Sequence, residues 1–318
     1  MCQGKVPQLI AGNVPTQALF FGHHEAENIK KKGLAKGKIA AVTMVRGDTF
    51  FIARWIAYYG AQLGYDNVYV IFDGEDQQLP PDIAPSYHFV FLPHITMPRA
   101  AGDKYRIATI NKVKDELFGV GYEGVIGADA DEFLLCDPHT SDSLLLFLLG
   151  LKNRGFSSVS ALGLDLAENC RVEAPLDPSV SILAQRRYAV LSSRYTKASV
   201  IFSPSLRWGS GFHRIKGHRY YIASSLYLLH TGYCSSAIVT ARLQDETRLK
   251  GGWDQHLNRR CKSIRHSSTK RPRIGDRWLK RARTLQQIVH PIHSWNKPKM
   301  PTTPIVVQLP ERFKTIQI

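Results

Sequence analysis

The sequence has no CxxC pair, and its five cysteines (Cys2, Cys136, Cys170, Cys234 and Cys261) stand far apart and are odd in number. That argues against a structural zinc site and a disulfide framework, and it fits reduced thiols in an intracellular protein. Long apolar runs are missing too: "SLLLFLLGL", ending at Leu151, is about half the roughly 20 residues a bilayer span needs. The opening "MCQGKVPQLIAGNVPTQ" lacks the long apolar core of a signal peptide. The expectation is a cytoplasmic protein that does not cross a membrane by itself but can lie peripherally at its cytoplasmic face. Acidic residues are scarce beside basic ones, 26 Asp and Glu against 42 Lys and Arg, for a net charge of +16. Such an excess suits nucleic acid, an anionic membrane surface or a phosphate-bearing substrate without choosing among them. No internal repeat is present.

What is there is enough apolar material, 44% of 318 residues, to build a real core. After weakly patterned residues 1–37, "KIAAVTMVR" (38–46) reads as a buried parallel strand. "GDTFFIARWIAYYGAQLG" follows, with Ile52, Trp55, Ile56, Tyr59 and Leu63 at helical spacing, Asp48 at the N-cap and Gly64 at the stop. This spacing makes Trp55 and Tyr59 core residues before it makes them a stacking platform with Tyr58. "DNVYVIFDG" predicts a second strand ending on Asp73, and "YHFVFLP" a third. "DKYRIATINKVKDELF" is an amphipathic helix with Ile107, Ile110, Val113 and Leu117 on one stripe. "EGVIGADADEFLL" then runs from strand into acid and back to hydrocarbon.

Strands alternating with helices predict an α/β fold, with a mostly parallel central sheet flanked by helices. Ligands of such sheets bind at the carboxyl ends of the strands, where Asp73 and the cluster of Asp129, Asp131 and Glu132 fall. Three readings of the cluster stand open. It can be a solvated turn with a helix cap, a site for a hard divalent cation such as Mg²⁺ or Mn²⁺, or an Asp-based phosphotransfer nucleophile at Asp129. Apolar flanks on both sides pin the acids at the rim of a core.

Beyond residue 150, "SSVSALGLDLAEN" reads as a strand running into a loop, and "SSLYLLHTGY" as a short strand ending on His230. The stretch "SRYTKASVIFSPSLRWGSGFHRIKGHRYY" mixes aromatic, basic and Gly residues as binding loops do. Residues 259–283 hold eleven Lys or Arg and one acid, Asp276. His23 and His24 with Glu25 and Glu27, and the histidines of "FHRIKGHR", lack an established zinc spacing.

"AAVTMVRGDTFFIARWIAYYGAQLGYDNVYVIFDGEDQ" followed by "GADADEFL" resembles the family 2-like glycosyltransferases of the GT-A (nucleotide-diphospho-sugar transferase) fold, in particular a bacterial subgroup with an Asp-Ala-Asp-Glu-Phe motif. "SGFHRI" and "LYLLHTGY" are similar to that subgroup's later motifs. The match covers roughly residues 38–240, which divide into a nucleotide-binding half (38–135) and an acceptor half (136–240), with residues 241–318 left as a basic C-terminal extension.

The resemblance implies a Rossmann-like, metal-dependent glycosyltransferase. It would move a sugar from a nucleotide diphosphate donor to a carbohydrate or lipid-linked glycan acceptor, as in polysaccharide biosynthesis. Asp131 would ligate Mn²⁺ or Mg²⁺ directly, and Asp129 would be shared between metal and ribose. Thr43, Val45 and Arg46 would line the base, with Asp73 nearby, and His230, or else His213, would complete the metal site. A departing nucleoside diphosphate develops charge that a metal, Arg or Lys can offset; Lys104, Arg106, Lys197 and Arg207 are the candidates. For the general base on the acceptor hydroxyl, Asp165 comes first, Glu168 second and Asp254 third. The sequence departs from the family where Asp73-Gly74-Glu75-Asp76 replaces Asp-x-Gly-Ser-x-Asp, and where Gly47-Asp48 precedes the first helix. The basic segment 259–283 suits an anionic membrane surface or nucleic acid, and no nucleic-acid recognition motif accompanies it. The rivals to the transferase are a non-catalytic basic nucleic-acid-binding protein and an Asp-based phosphohydrolase.

Overall fold

β1 (Ile39–Val45) is buried at every position, because it is hydrogen-bonded in parallel on both sides, to β2 (Val68–Asp73) and to β4 (Gly124–Gly127). β3 (His88–Leu92) joins β2 in parallel on the outside. The computed structural model describes residues 14, 15, 17–33, 37–81, 87–244, 261–290 and 304–318. Along β1 and β2 alternate side chains enter two different cores. Ile39, Ala41, Val68 and Val70 pack with Trp55 and Tyr59, whereas Ala40, Val42, Tyr69 and Ile71 pack with Ile107, Ile110 and Val113. The period of two along a strand therefore puts α2 (Thr49–Leu63) and α3 (Arg99–Gly119) on opposite faces of one sheet. α1 (His23–Lys32) lies beside α3, its Ala26 and Ile29 meeting the second core.

α2 buries the stripe its spacing predicts, with Trp55, Tyr58 and Tyr59 all in the core. It ends at Gly64, whose φ of 88° lies in the left-handed region. Asp48 occupies the N-cap position, but its side chain makes no capping hydrogen bond.

After β4 the chain turns through the acidic residues into β5 (Glu132–Cys136), which pairs antiparallel with β9 (Ile222–Tyr233). The apolar run that follows is a core helix, α4 (Leu144–Asn153), with Leu144, Leu148 and Leu151 buried. β6 (Ser158–Ala167) is parallel to β9 and antiparallel to β7 (Tyr188–Leu191) and β8 (Val200–Ile201); the short α5 (Ile182–Gln185) precedes β7. β8 closes onto β4, so both halves share one sheet. α6 (Ser236–Gln244) leaves β9.

The fold is thus the expected mixed α/β arrangement, a large central sheet flanked by helices. Its first four strands, in the order β3-β2-β1-β4, pair with one another only in parallel. The stretch expected as an extension after residue 240 does not stand apart. It supplies α7 (Lys262–Thr269), β10 (Arg273–Ile274), α8 (Asp276–Val289) and β11 (Val306–Gln308). β11 pairs antiparallel with β7, and β10 lies parallel to β11. Strands of two and three residues carry no readable periodicity, so the sequence shows only their basic composition. Among the described residues no helix is long and apolar enough to cross a membrane.

Candidate active site

Asp129 and Asp131 sit in the turn between β4 and β5, at the carboxyl end of β4 and beside that of β1. The turn is closed by its own backbone: Glu132 N donates to Asp129 O at 2.9 Å, and Asp129 N donates to Glu132 Oε2 at 3.2 Å. Glu132 is fully buried and faces His230 across the β5–β9 pair. Lys197, itself buried, sends Nζ between the acids, 2.5 Å from Glu132 Oε1 and 3.0 Å from Asp129 Oδ2. Arg106 of α3 forms a second ion pair with Asp129 and is held in turn by Asp103 at 3.0 Å. Both cations lie near the Phe212 ring, at 5.4 and 5.7 Å from its centroid.

Asp131 belongs to a second set. Its Oδ2 is 3.4 Å from His230 Nε2 and 3.6 Å from Arg242 Nη1, and its backbone carbonyl accepts from Thr231 N at 2.8 Å. The His230 ring is fixed by three contacts, and its Nε2 lies 3.1 Å from the Tyr195 hydroxyl. Its Nδ1 is 2.7 Å from Asp165 Oδ1, and the Tyr195 ring stacks on it with centroids 3.9 Å apart. Asp165 Oδ2 accepts from Ser263 Oγ at 2.5 Å, so the basic C-terminal stretch reaches the centre of the site. Arg242 of α6 also binds Asp48 at 3.1 Å, which explains why that carboxylate does not cap α2. Gly232 leaves the space between these groups clear: a Cβ there would fall 2.7 Å from Asp131 Oδ2 and 2.9 Å from His230 Cε1.

Burial disfavours the charged form of each acid, and the neighbouring cations decide the outcome. Against burial, His230 and Arg242 hold Asp131 well below the usual carboxylate range. Arg106 and Lys197 do the same for Asp129. Glu132 moves the other way, because burial and the Asp129 charge outweigh the pull of Lys197. Burial would lower His230, but Asp131 and Asp165 raise it to about 9. Each carboxylate of the cluster thus meets at least one cation. Two of those cations, Arg106 and Arg242, are partly open to solvent.

The residues expected around the base lie together at the ends of β1 and β2. Thr43 and Val45 are buried. Arg46 grips Asp76 through two contacts of 2.8 and 2.9 Å and donates to the Asp73 carbonyl at 2.6 Å. Asp73 Oδ1 is 3.0 Å from His94 Nδ1. Gly74, at φ 129°, makes the Arg46–Asp76 pair possible, since a Cβ there would overlap both side chains. This pair holds the turn Asp73–Asp76 against the end of β1.

Other expectations land elsewhere. Asp165 and Glu168 do not offer a free oxygen to an acceptor hydroxyl. Both are buried, Asp165 is taken by His230 and Ser263, and Glu168 by Arg186 at 3.4 Å and Ser236 N at 2.5 Å. Arg207 pairs with Asp115 on α3 at 2.5 Å, and Lys104 is exposed. His213 follows the short turn Ser210–Phe212 that carries the Phe212 ring. Asp254 and the side chains of His23, His24 and Glu25 lie outside the described residues. His230 is inside a twelve-residue strand rather than at the end of a short one. Arg242, Tyr195 and Ser263 have no signal in the sequence, because each belongs to a different element from the acids it serves.

Among the described residues, no group of three or more His, Cys, Asp or Glu side chains is gathered closely enough to hold a metal by protein ligands alone. Asp131 and His230 form a two-donor pair.

No protein-family profile matches the chain, and no curated protein matches it. Among solved structures it is similar to a mannose-1-phosphate geranyltransferase from Thermus thermophilus, at 8% identity over 86% of this chain and 74% of that one, with a TM-score of 0.29. A likeness of that degree carries no argument about activity.

Proposed function

We propose that the protein is a GT-A-type glycosyltransferase that moves a sugar from a nucleotide diphosphate donor to a carbohydrate or lipid-linked glycan acceptor. The observation that supports it best is the meeting of Asp129 and Asp131 with Arg106, Lys197, Arg242 and His230 at the carboxyl ends of parallel strands. Acids and bases gathered this closely suit a diphosphate with its counter-cation better than either partner alone.

The donor set is compatible with Mn²⁺ or Mg²⁺. A carboxylate oxygen and an imidazole nitrogen 3.4 Å apart can share one ion, and Gly232 keeps the approach open. Such ions often take few protein ligands and fill the rest of their shell with phosphate and water. The ion would come to Asp131 and His230, and the chemistry it supplies when bound is neutralisation of the leaving diphosphate.

The chain's own residues do the rest of the work. Lys197 and Arg106 fix Asp129 in one orientation, suited to a ribose hydroxyl. Arg242, partly open beside Asp131, adds positive charge where the diphosphate departs. Asp165, clamped by Ser263, is a positioning residue that keeps Nε2 of His230 facing Asp131. Arg46 and Asp73 would face the base, with Thr43 and Val45 buried behind them.

Calorimetric titration of nucleoside diphosphates and nucleotide sugars, with Mn²⁺ and with chelator, tests this reading. Metal-dependent binding of one nucleoside diphosphate by the wild type, lost in Asp131→Asn, is the expected result. Absence of nucleotide binding under every condition would sink it.

A further inference from the structure

α8 presents two unlike stretches along one solvent-facing side. Its first turns expose Arg277, Lys280 and Arg281, and its last turns expose Leu285, Ile288 and Val289. At 100° per residue all six fall within roughly half the helix circumference. Leu279 and Gln286 are the buried residues of the helix. Ile288 is 74% exposed, and Ile274 in β10, between exposed Arg273 and Gly275, is 71% exposed. These are large aliphatic side chains with no cover among the described residues. The one acid of the helix, Asp276, is held by Arg312 at 3.2 Å, so it does not offset the exposed bases.

The basic stretch by itself would attract any polyanion. The aliphatic tips discriminate. A nucleic acid admits aliphatic tips such as Ile274, Leu285 and Ile288 only by unstacking a base step, at a cost of about a few kcal/mol each. Its bases would need an aromatic platform, and Trp278 is half-buried with the Arg273 and Arg281 guanidinium groups 4.9 and 5.5 Å from its ring centre. A lipid leaflet offers both anionic headgroups at the surface and an acyl boundary just beneath. We propose that α8 and β10 dock the protein on an anionic leaflet. Ile274, Leu285 and Ile288 enter the acyl boundary, and Arg277, Lys280 and Arg281 lie at headgroup level. The inference goes beyond the transferase reading and does not rest on it.

Vesicle flotation of the full chain tests it, with phosphatidylglycerol-containing vesicles against pure phosphatidylcholine. The wild type should float with the anionic vesicles only, and less at high salt. Arg277→Glu with Lys280→Glu should weaken binding by roughly fivefold or more per charge changed. Leu285→Ser with Ile288→Ser, neutral changes at exposed positions, should abolish flotation while leaving thermal unfolding and nucleotide titration as in the wild type. Failure of the wild type to float overturns the proposal. So does loss on charge reversal with none in the aliphatic variant, an outcome that would mark the surface as a general polyanion site such as one for nucleic acid.

Discussion

His230 Nδ1 lies 2.7 Å from Asp165 Oδ1, and Ser263 holds the other oxygen of that carboxylate at 2.5 Å. Nε2 is thereby aimed at Asp131 by a contact that begins in the C-terminal stretch. Asp165→Asn keeps the shape and removes the charge, so activity or metal affinity should fall by roughly 10- to 100-fold. Ser263→Ala should cost less, because Asp165 keeps its contact with His230 Nδ1 without it. Mn²⁺-dependence curves for the two variants check the order, and equal losses would count against a positioning role.

Lys197 is the second test. Glu132 has no exposure, Asp129 is partly exposed, and the ammonium lies between them. Lys197→Met leaves a buried acid without its cation and should destabilise the fold by about 3 to 5 kcal/mol. Adding Glu132→Gln should recover part of that loss, because the uncompensated charge goes with it. Denaturant titration of the single and double variants reads the coupling.

Gly232→Ala should separate binding from stability. The new methyl would press on Asp131 and His230, the pair proposed to take the cation, and on no core side chain among its nearest neighbours. Nucleotide binding in the presence of Mn²⁺ should drop at least roughly tenfold, by analogy with losses on disturbing a metal's supporting shell. The melting temperature should move little.

A pH test lies away from the site. Arg312 binds Asp137 through two 2.6 Å contacts. Against the burial that opposes its ionisation, the guanidinium lowers the Asp137 carboxyl. A depressed carboxylate contributes stability above its unfolded value, near ~3.9, and loses it as pH falls through the folded value. Arg312→Ala should therefore cost roughly 3 kcal/mol at neutral pH. The gap to the wild type should begin to narrow below about pH 4, as Asp137 protonates in the unfolded chain, and should close only below the depressed folded value. Denaturation series at pH 3.5 and pH 7 decide it.

The first half of the sheet is largely legible in the sequence, and for identifiable reasons. β1 is apolar but for Thr43 because both its faces are covered, and α2 repeats its large residues at the spacing of one helical face. Asp129 and Asp131 stand out because acids interrupt hydrocarbon. What surrounds them is hidden by distance along the chain. Ser263 is 98 residues from Asp165, and Arg242 is 194 from Asp48. Local pattern carries no information about partners so far apart. Asp165 reads as a base in search of a substrate, since a sequence shows a carboxylate but not the imidazole it already faces. β9 reads too short because Thr231 and Gly232 resemble a turn, whereas Thr231 is tied to Asp131 and the strand continues to Tyr233.

β9 also has a bearing on how the site can fail. Its twelve residues pair with β5 on one edge and β6 on the other, and His230 stands opposite Glu132 on the first and Asp165 on the second. A slip of one position would turn the imidazole to the opposite face and bring Leu229 or Thr231 in its place. β9 cannot slide along either neighbour without moving His230 from the acids on both. Loss of the site should therefore coincide with the main unfolding transition, not precede it as a local fraying event.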